Sequence, residues 1–114
     1  MPLTELAILD RVRRLLPGGD ALTDDCGALP LAPPGETLLV STDLMEEGVH
    51  FHREWHPPYF LGRKLLAVNL SDLDGSGARP LGFLLTLALP LEVDMEWLEE
   101  VLRGLGEGAR EQGI

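Results

Sequence analysis

Between Pro80 and Pro90 the chain reads Leu81-Gly82-Phe83-Leu84-Leu85-Thr86-Leu87-Ala88-Leu89, nine residues without a charge. A proline at each end removes a backbone donor and fixes φ, so the run is not the middle of a longer helix. It also falls well short of the roughly 18 apolar residues that a membrane span requires. A short apolar run with these stops predicts a central strand, apolar on both faces. Thr37-Leu38-Leu39-Val40-Ser41-Thr42 predicts a second buried strand, which delivers Asp43 at its C-terminal end. Gly48-Val49-His50-Phe51-His52 predicts a third, short extended piece.

Three helices are predicted around these pieces. Residues 4–16 place Ile8, Leu9, Val12, Leu15 and Leu16 at helical spacing behind Thr4, a capping residue, and Pro17-Gly18-Gly19 stops them. Pro57-Pro58 opens a second helix near Tyr59 that runs to about Leu73, where Gly75, Gly77 and Pro80 break it. Asp94 caps a third, whose stripe is Met95, Leu98, Val101, Leu102 and Leu105. Gly104, Gly106 and Gly108 are expected to weaken its last turns by about 1 kcal/mol each relative to alanine. From Asp20 to Glu36 the text is acidic and punctuated by proline, so a loop is expected. The order helix, strand, strand, helix, strand, helix predicts an α/β or α+β domain. So few strands, and so glycine-rich an end, predict a sheet completed by another chain or by further sequence.

At 114 residues the chain has the size of one domain. Nine Lys and Arg stand against nineteen Asp and Glu, a formal net charge of −10. That balance argues against nucleic acid and anionic membranes as partners, because phosphate backbones want clustered cations. Phosphorylated small molecules remain compatible where divalent cations lie between the two sets of negative charge. Cys26 is the only cysteine, so neither an internal disulfide nor a CxxC zinc pair is available. No secretory leader is recognised, and a cytoplasmic location is expected.

Three acidic knots carry the chemistry. They are Asp24-Asp25, then Ser41-Thr42-Asp43 at a strand end, then Asn69-Leu70-Ser71-Asp72 with Asp74 following. Carboxylates mixed with hydroxyls, and no thiolate, are hard oxygen donors suited to Mg²⁺, Mn²⁺ or Ca²⁺. Taken singly, each knot reads first as a turn or a helix cap, and it is the three together that favour a divalent-metal site. His50 and His52 would share one face of an extended piece, with His56 next in line, so a three-histidine zinc site is an alternative. Phe51, Trp55, Tyr59 and Phe60 cluster around them and could wall a ring-shaped ligand. The glycine patterns are weak signals for a phosphate loop, and Pro17-Gly18-Gly19-Asp20, which could wrap a phosphate, suits a plain helix stop as well. Asp74-Gly75-Ser76-Gly77 ends a helix, Gly104-x-Gly106-x-Gly108 follows no strand, and the only lysine, Lys64, lies inside a predicted helix.

Five blocks in register resemble the thiamine-monophosphate kinase family. They are Thr23-Asp24-Asp25-Cys26-Gly27-Ala28-Leu29, Leu39-Val40-Ser41-Thr42-Asp43-Leu44, Glu47-Gly48-Val49-His50-Phe51, Lys64-Leu65-Leu66-Ala67-Val68-Asn69-Leu70-Ser71-Asp72-Leu73 and Gly77-Ala78-Arg79-Pro80. The likeness runs from about Leu3 to Gln112. It implies ATP-dependent phosphorylation of thiamine monophosphate to thiamine diphosphate, with ATP as co-substrate. The implied fold is the N-terminal domain shared with aminoimidazole ribonucleotide synthetase, a mixed sheet with flanking helices. Two protomers of a homodimer would join their sheets into a barrel. By position, Asp25, Ser41, Thr42, Asp43 and Asp72 match magnesium ligands, Asp43 and Asp72 being the catalytic candidates. His50 matches the residue that contacts the thiamine substrate.

Thr23 stands where that family usually has glycine, and Asp74-Gly75 stands where small apolar residues are usual. The family's chain is also much longer, with a C-terminal domain carrying further nucleotide and metal contacts. The resemblance therefore implies that residues 1–114 are the N-terminal kinase domain alone and inactive by themselves. The competing readings are another ATP-dependent synthetase of the same superfamily, a noncatalytic half-domain that binds metal or dimerises, and the zinc module.

Overall fold

A computed structural model describes residues 3–19 and 32–114. Three helices dominate: α1 (Glu5–Leu15), α2 (Pro58–Gly75) and α3 (Met95–Gln112). Each begins where the sequence predicts. The Thr4 hydroxyl accepts from the Ala7 N–H at 3.2 Å, and Asp94 Oδ1 accepts from the Trp97 N–H at 2.8 Å. Pro58 occupies the first turn of α2, where its missing N–H costs nothing. Their ends are also chemically marked. Gly77 and Gly113 follow α2 and α3 with φ of +70° and +73°, left-handed positions that favour glycine.

α3 is the centre of the molecule. Leu98, Leu102 and Leu105 are its largest fully buried side chains, and α1 and α2 both pack against it. Val12 and Leu16 come to this core from the first segment, Leu61 and Leu66 from α2, and Phe51 from the loop before α2. The glycines of α3 do not fray it. A Cβ on Gly104 would run into the Tyr59 carbonyl of α2, and one on Gly62 would run into the Val101 carbonyl of α3. A Cβ on Gly106 would meet the Leu15 carbonyl at the end of α1. The propensity cost of these residues is thus exchanged for close approach of helix backbones, and α3 continues to Gln112.

Charged pairs stitch the same contacts at the rim. Arg11 Nε lies 2.7 Å from Glu99 across α1 and α3, and Arg110 donates to the Leu15 carbonyl at 3.1 Å. Between α2 and α3, Tyr59 donates its phenolic proton to Glu107, and Arg63 grips Glu111 at 2.5 Å. The Glu107 hydrogen bond pushes the Tyr59 phenol up, and the Arg63 hydrogen bond holds the Glu111 carboxyl below its ordinary range.

The expected mixed sheet is not formed among the described residues, so they carry no sheet to join into a barrel with a second protomer. The only strand-like pairing among the described residues is one isolated bridge between Glu47 and Phe51. No backbone hydrogen bond joins 37–42 or 81–89 to each other or to another described residue. Along 81–89, Phe83, Leu85, Leu87 and Leu89 pack on the helical core while Leu84, Thr86 and Ala88 stay exposed. That is an extended segment's alternation, serving helix packing instead of strand pairing. The run is rich in leucine and has a single β-branched residue, Thr86, so local preference for a ladder is weak. In 37–42 every residue is exposed, contrary to the buried strand expected there. The piece 48–52 is a turn, with the His50 N–H bonded to the Glu46 carbonyl at 2.8 Å.

Two consequences are measurable. Gly104→Ala should lose about 2 kcal/mol or more on urea denaturation, because overpacking against a carbonyl outweighs the gain of about 1 kcal/mol in helix propensity. Gly75→Ala, whose Cβ would meet open space, should instead gain about 0.5–1 kcal/mol. Equal effects at the two positions would refute the close-packing account. A carboxyl lowered in the folded state contributes stability above its ordinary value, 4.5, and loses that contribution as pH falls through the folded value. Denaturation midpoints between about pH 5 and pH 3 should therefore fall less steeply for Glu111→Gln than for the parent chain.

Candidate functional site

The segment 37–41 and the end of α2 line one cleft, and Ser41 is the sequence-predicted site residue in its wall. Thr37 to Ser41, with Ala32, Pro33 and Glu36 before them, help line a cleft of about 440 Å³, together with Leu73, Ser76 to Arg79 and Leu81 to Leu84. Ser41 therefore faces the same space as Leu73, the neighbour of Asp72. Thr42 and Asp43 follow directly and are exposed. Asp43 Oδ1 accepts from the Leu44 N–H at 2.8 Å, which fixes one oxygen and leaves the other available.

Asp72 lies exposed in the final turns of α2. Its carbonyl accepts from the Ser76 hydroxyl at 3.2 Å, and its carboxylate makes no hydrogen bond or ion pair with a described residue. Asp72 and Asp74 sit at the negative end of the helix dipole, and no basic residue occupies that turn. Carboxylates there cost about 0.3–1 kcal/mol each, a penalty that a bound cation would offset.

Asp25, and Asp24 and Cys26 with it, lies outside the described residues. Among the described residues no group of three histidine, cysteine or acidic side chains is placed to hold a metal ion. The donor chemistry at Ser41, Thr42, Asp43 and Asp72 is nonetheless that of a hard divalent cation. The same absence holds for the three histidines of the zinc alternative. His56 Nδ1 is 3.1 Å from the His52 carbonyl, the His52 ring lies against Trp55 at 4.2 Å between centroids, and His50 Nδ1 accepts from the Glu46 N–H.

His50 sits in a tight turn built on Gly48, whose φ is +85°. The Gly48 N–H bonds to the Phe51 carbonyl at 2.7 Å, and the buried Phe51 ring anchors the turn to the core. His50 Nδ1 accepts from the Glu46 N–H at 2.9 Å, and Lys64 Nζ donates to the His50 carbonyl at 3.1 Å. Sequence reasoning placed Lys64 in a helix and gave it no role; its being the sole lysine, inside a motif block, was the available signal. Beyond the turn, Glu47, His52, Trp55, His56 and Trp97 help line a second, wider cavity of about 610 Å³. Tyr59, one of the expected aromatic walls, is turned to Glu107 of α3 instead.

A family profile described as AIR synthase related protein, N-terminal domain, matches residues 23–114. The chain belongs to that family. Membership thus stands although the described residues form no sheet. The chain is similar to thiamine-monophosphate kinases from several bacteria. It is 42% identical to that of Synechococcus elongatus over 81 residues, covering 71% of this chain and 25% of the relative. The kinase of Caulobacter vibrioides is 39% identical over 110 residues, 93% of this chain and 31% of the relative. That of Salmonella typhimurium is 46% identical over 91 residues, 79% of this chain and 27% of the relative. The chain thus spans about a quarter to a third of the length of these relatives. No solved structure matches it significantly. Among the described residues, no helix is long and apolar enough to cross a membrane.

Proposed function

We propose that the chain is the N-terminal part of an enzyme that transfers the terminal phosphoryl group of ATP to thiamine monophosphate, giving thiamine diphosphate. The observation that carries this reading is the similarity to thiamine-monophosphate kinases along nearly the whole chain, 39% identity across 93% of it in one case. Supporting it locally, Ser41 and the residue next to Asp72 share one cleft, with Asp43 exposed beside it.

The residue types suit the reaction. The acceptor is a phosphate oxygen already ionised at neutral pH, so no strong general base is needed. Two anions must be brought together and aligned, and the dominant tasks are neutralising charge and positioning. Mg²⁺, when bound, would supply that neutralisation, held by Ser41, Thr42, Asp43 and Asp72, with Asp25 as a further ligand by position. Asp72 lies in the last turn of α2, and Ser41, Thr42 and Asp43 lie in an exposed stretch outside any helix, positions open to a ligand without disturbing the core. His50 is the proposed contact to the thiamine moiety, from a turn whose backbone is fixed independently of any ligand. The enzyme is proposed to work in the cytoplasm.

A homodimer is part of the reading. Val40 is 65% exposed, and with Leu38, Leu39, Leu81 and Leu84 it gives the cleft an exposed apolar wall. A surface of this kind marks a protein contact more often than a solvated face. Sedimentation of the complete gene product should give twice its monomer mass, and Val40→Lys should shift it toward monomer; a monomeric parent would remove the dimer from the reading.

The deciding assay is magnesium-dependent formation of thiamine diphosphate from ATP and thiamine monophosphate by the complete gene product. Asp43→Asn, which keeps the shape and removes the charge, should lower turnover by about a hundred-fold or more while the denaturation midpoint stays close to the parent's. Near-normal turnover of Asp43→Asn would remove Asp43 from the machinery. No formation by a folded parent protein would move the assignment to another synthetase of the family.

A further inference from the structure

His50 is tied at three of its atoms. Its N–H donates to the Glu46 carbonyl at 2.8 Å, and its Nδ1 accepts from the Glu46 N–H at 2.9 Å. Its carbonyl accepts from Lys64 Nζ at 3.1 Å. Because a backbone N–H can only donate, Nδ1 must present a lone pair, and the neutral ring carries its proton on Nε2. Nε2 has no hydrogen-bond partner among the described residues, and the residue is exposed. The free position of the ring is therefore an outward N–H donor.

Of the three ties, two are internal to the turn and one comes from outside it. Lys64 reaches the turn from α2, fourteen positions along the chain. An ammonium on a carbonyl is a charge-assisted hydrogen bond, and of the three ties this exposed one is what joins the turn to a helix. Lys64 makes no ion pair with a described acid, so its charge is directed to this carbonyl. The helix that carries it is locked to α3 through Gly62, so the tether starts from a rigid point.

We propose that Lys64 is a positioning residue that fixes the turn of residues 46–50, so that His50 presents Nε2–H as a hydrogen-bond donor to an acceptor atom of the bound substrate. This rests on the reading of His50 as the contact to thiamine monophosphate and adds to it the atom, the polarity and the residue that holds it. The acceptor is a ring nitrogen or an anionic oxygen of the ligand. A residue replacing His50 would have to donate at the same place.

The test uses the complete gene product with ¹⁵N-labelled histidine, comparing the parent with Lys64→Met and Lys64→Arg. At about pH 8, where an ordinary imidazole is neutral, the parent should show an unprotonated Nδ1 and a protonated Nε2 at His50, assigned by its loss in His50→Gln. Lys64→Met should move both nitrogens toward the average of the two tautomers, and Lys64→Arg should restore them. In parallel, Lys64→Met should raise KM for thiamine monophosphate about ten-fold with kcat within about two-fold and KM for ATP unchanged. Lys64→Arg should recover most of that loss.

A His50 spectrum unchanged in Lys64→Met overturns the proposal, as does an equal loss of affinity for both substrates, which would mark a general structural effect. If the parent binds no thiamine monophosphate while the His50 signals still depend on Lys64, the kinase reading falls and the positioning by Lys64 stands.

Discussion

Everything in the described structure depends on how closely α2 can approach α3. Gly62 and Gly104 remove the side chains that would hold the two backbones apart, each facing a carbonyl of the other helix. Gly108 extends the same contact, since a Cβ there would press on the Leu66 side chain. Leu61 and Leu66 of α2 then reach the layer of Leu98, Leu102 and Leu105, and the Tyr59–Glu107 and Arg63–Glu111 pairs close over its edge. Such exposed pairs add little stability singly, and their value here is in setting how the helices are seated. The apolar layer and the glycine contact supply the affinity of one helix for the other.

The helices were legible because their signals are local. Thr4, Asp94 and Pro58 act within one turn of their own backbone, and the apolar stripe of α3 lies at the helical period whatever surrounds it. The segments expected as strands were not legible in the same way. A run such as 81–89 announces that its side chains are to be buried, but burial against a helix layer and burial within a sheet read alike. What separates them is pairing, a relation to another segment that no single run encodes. The role of the α3 glycines was hidden for the same reason. In isolation each lowers helix propensity, and only the facing carbonyls of Tyr59, Val101 and Leu15 show what the missing Cβ makes room for.

The candidate site divides along the same line. Ser41, Thr42, Asp43 and Asp72 stand out in the sequence by residue type and motif; all four are exposed, and Ser41 lines the cleft. The hydrogen bonds that orient His50 were not recognisable. The expectation of an extended piece would have put His50 and His52 on a common face, whereas the turn at Gly48 gives their rings different partners, the Glu46 N–H and Trp55. Glycine at a positive φ was the one sign of that turn, and a glycine opening an apolar block fits a strand start just as well.

α2 then has a further significance. It carries Lys64 at the turn that presents His50, and Asp72 near its C-terminal end, eight positions on. At 1.5 Å per residue the two are about 12 Å apart along the axis. In the proposed reading one end of this helix addresses the recognition of the acceptor and the other addresses the charge on the phosphates. A rigid helix between them keeps those tasks at a fixed separation, which in-line transfer requires, since misplacing one reactant costs rate steeply. The seat of that helix on α3 depends on Gly62 and Gly104, which contact no ligand themselves. A side chain at either position would act on catalysis from a distance, by tilting α2 and moving Lys64 and Asp72 together. In that reading, the glycines which look least favourable in the sequence of a helix are the residues on which the geometry of the proposed site rests.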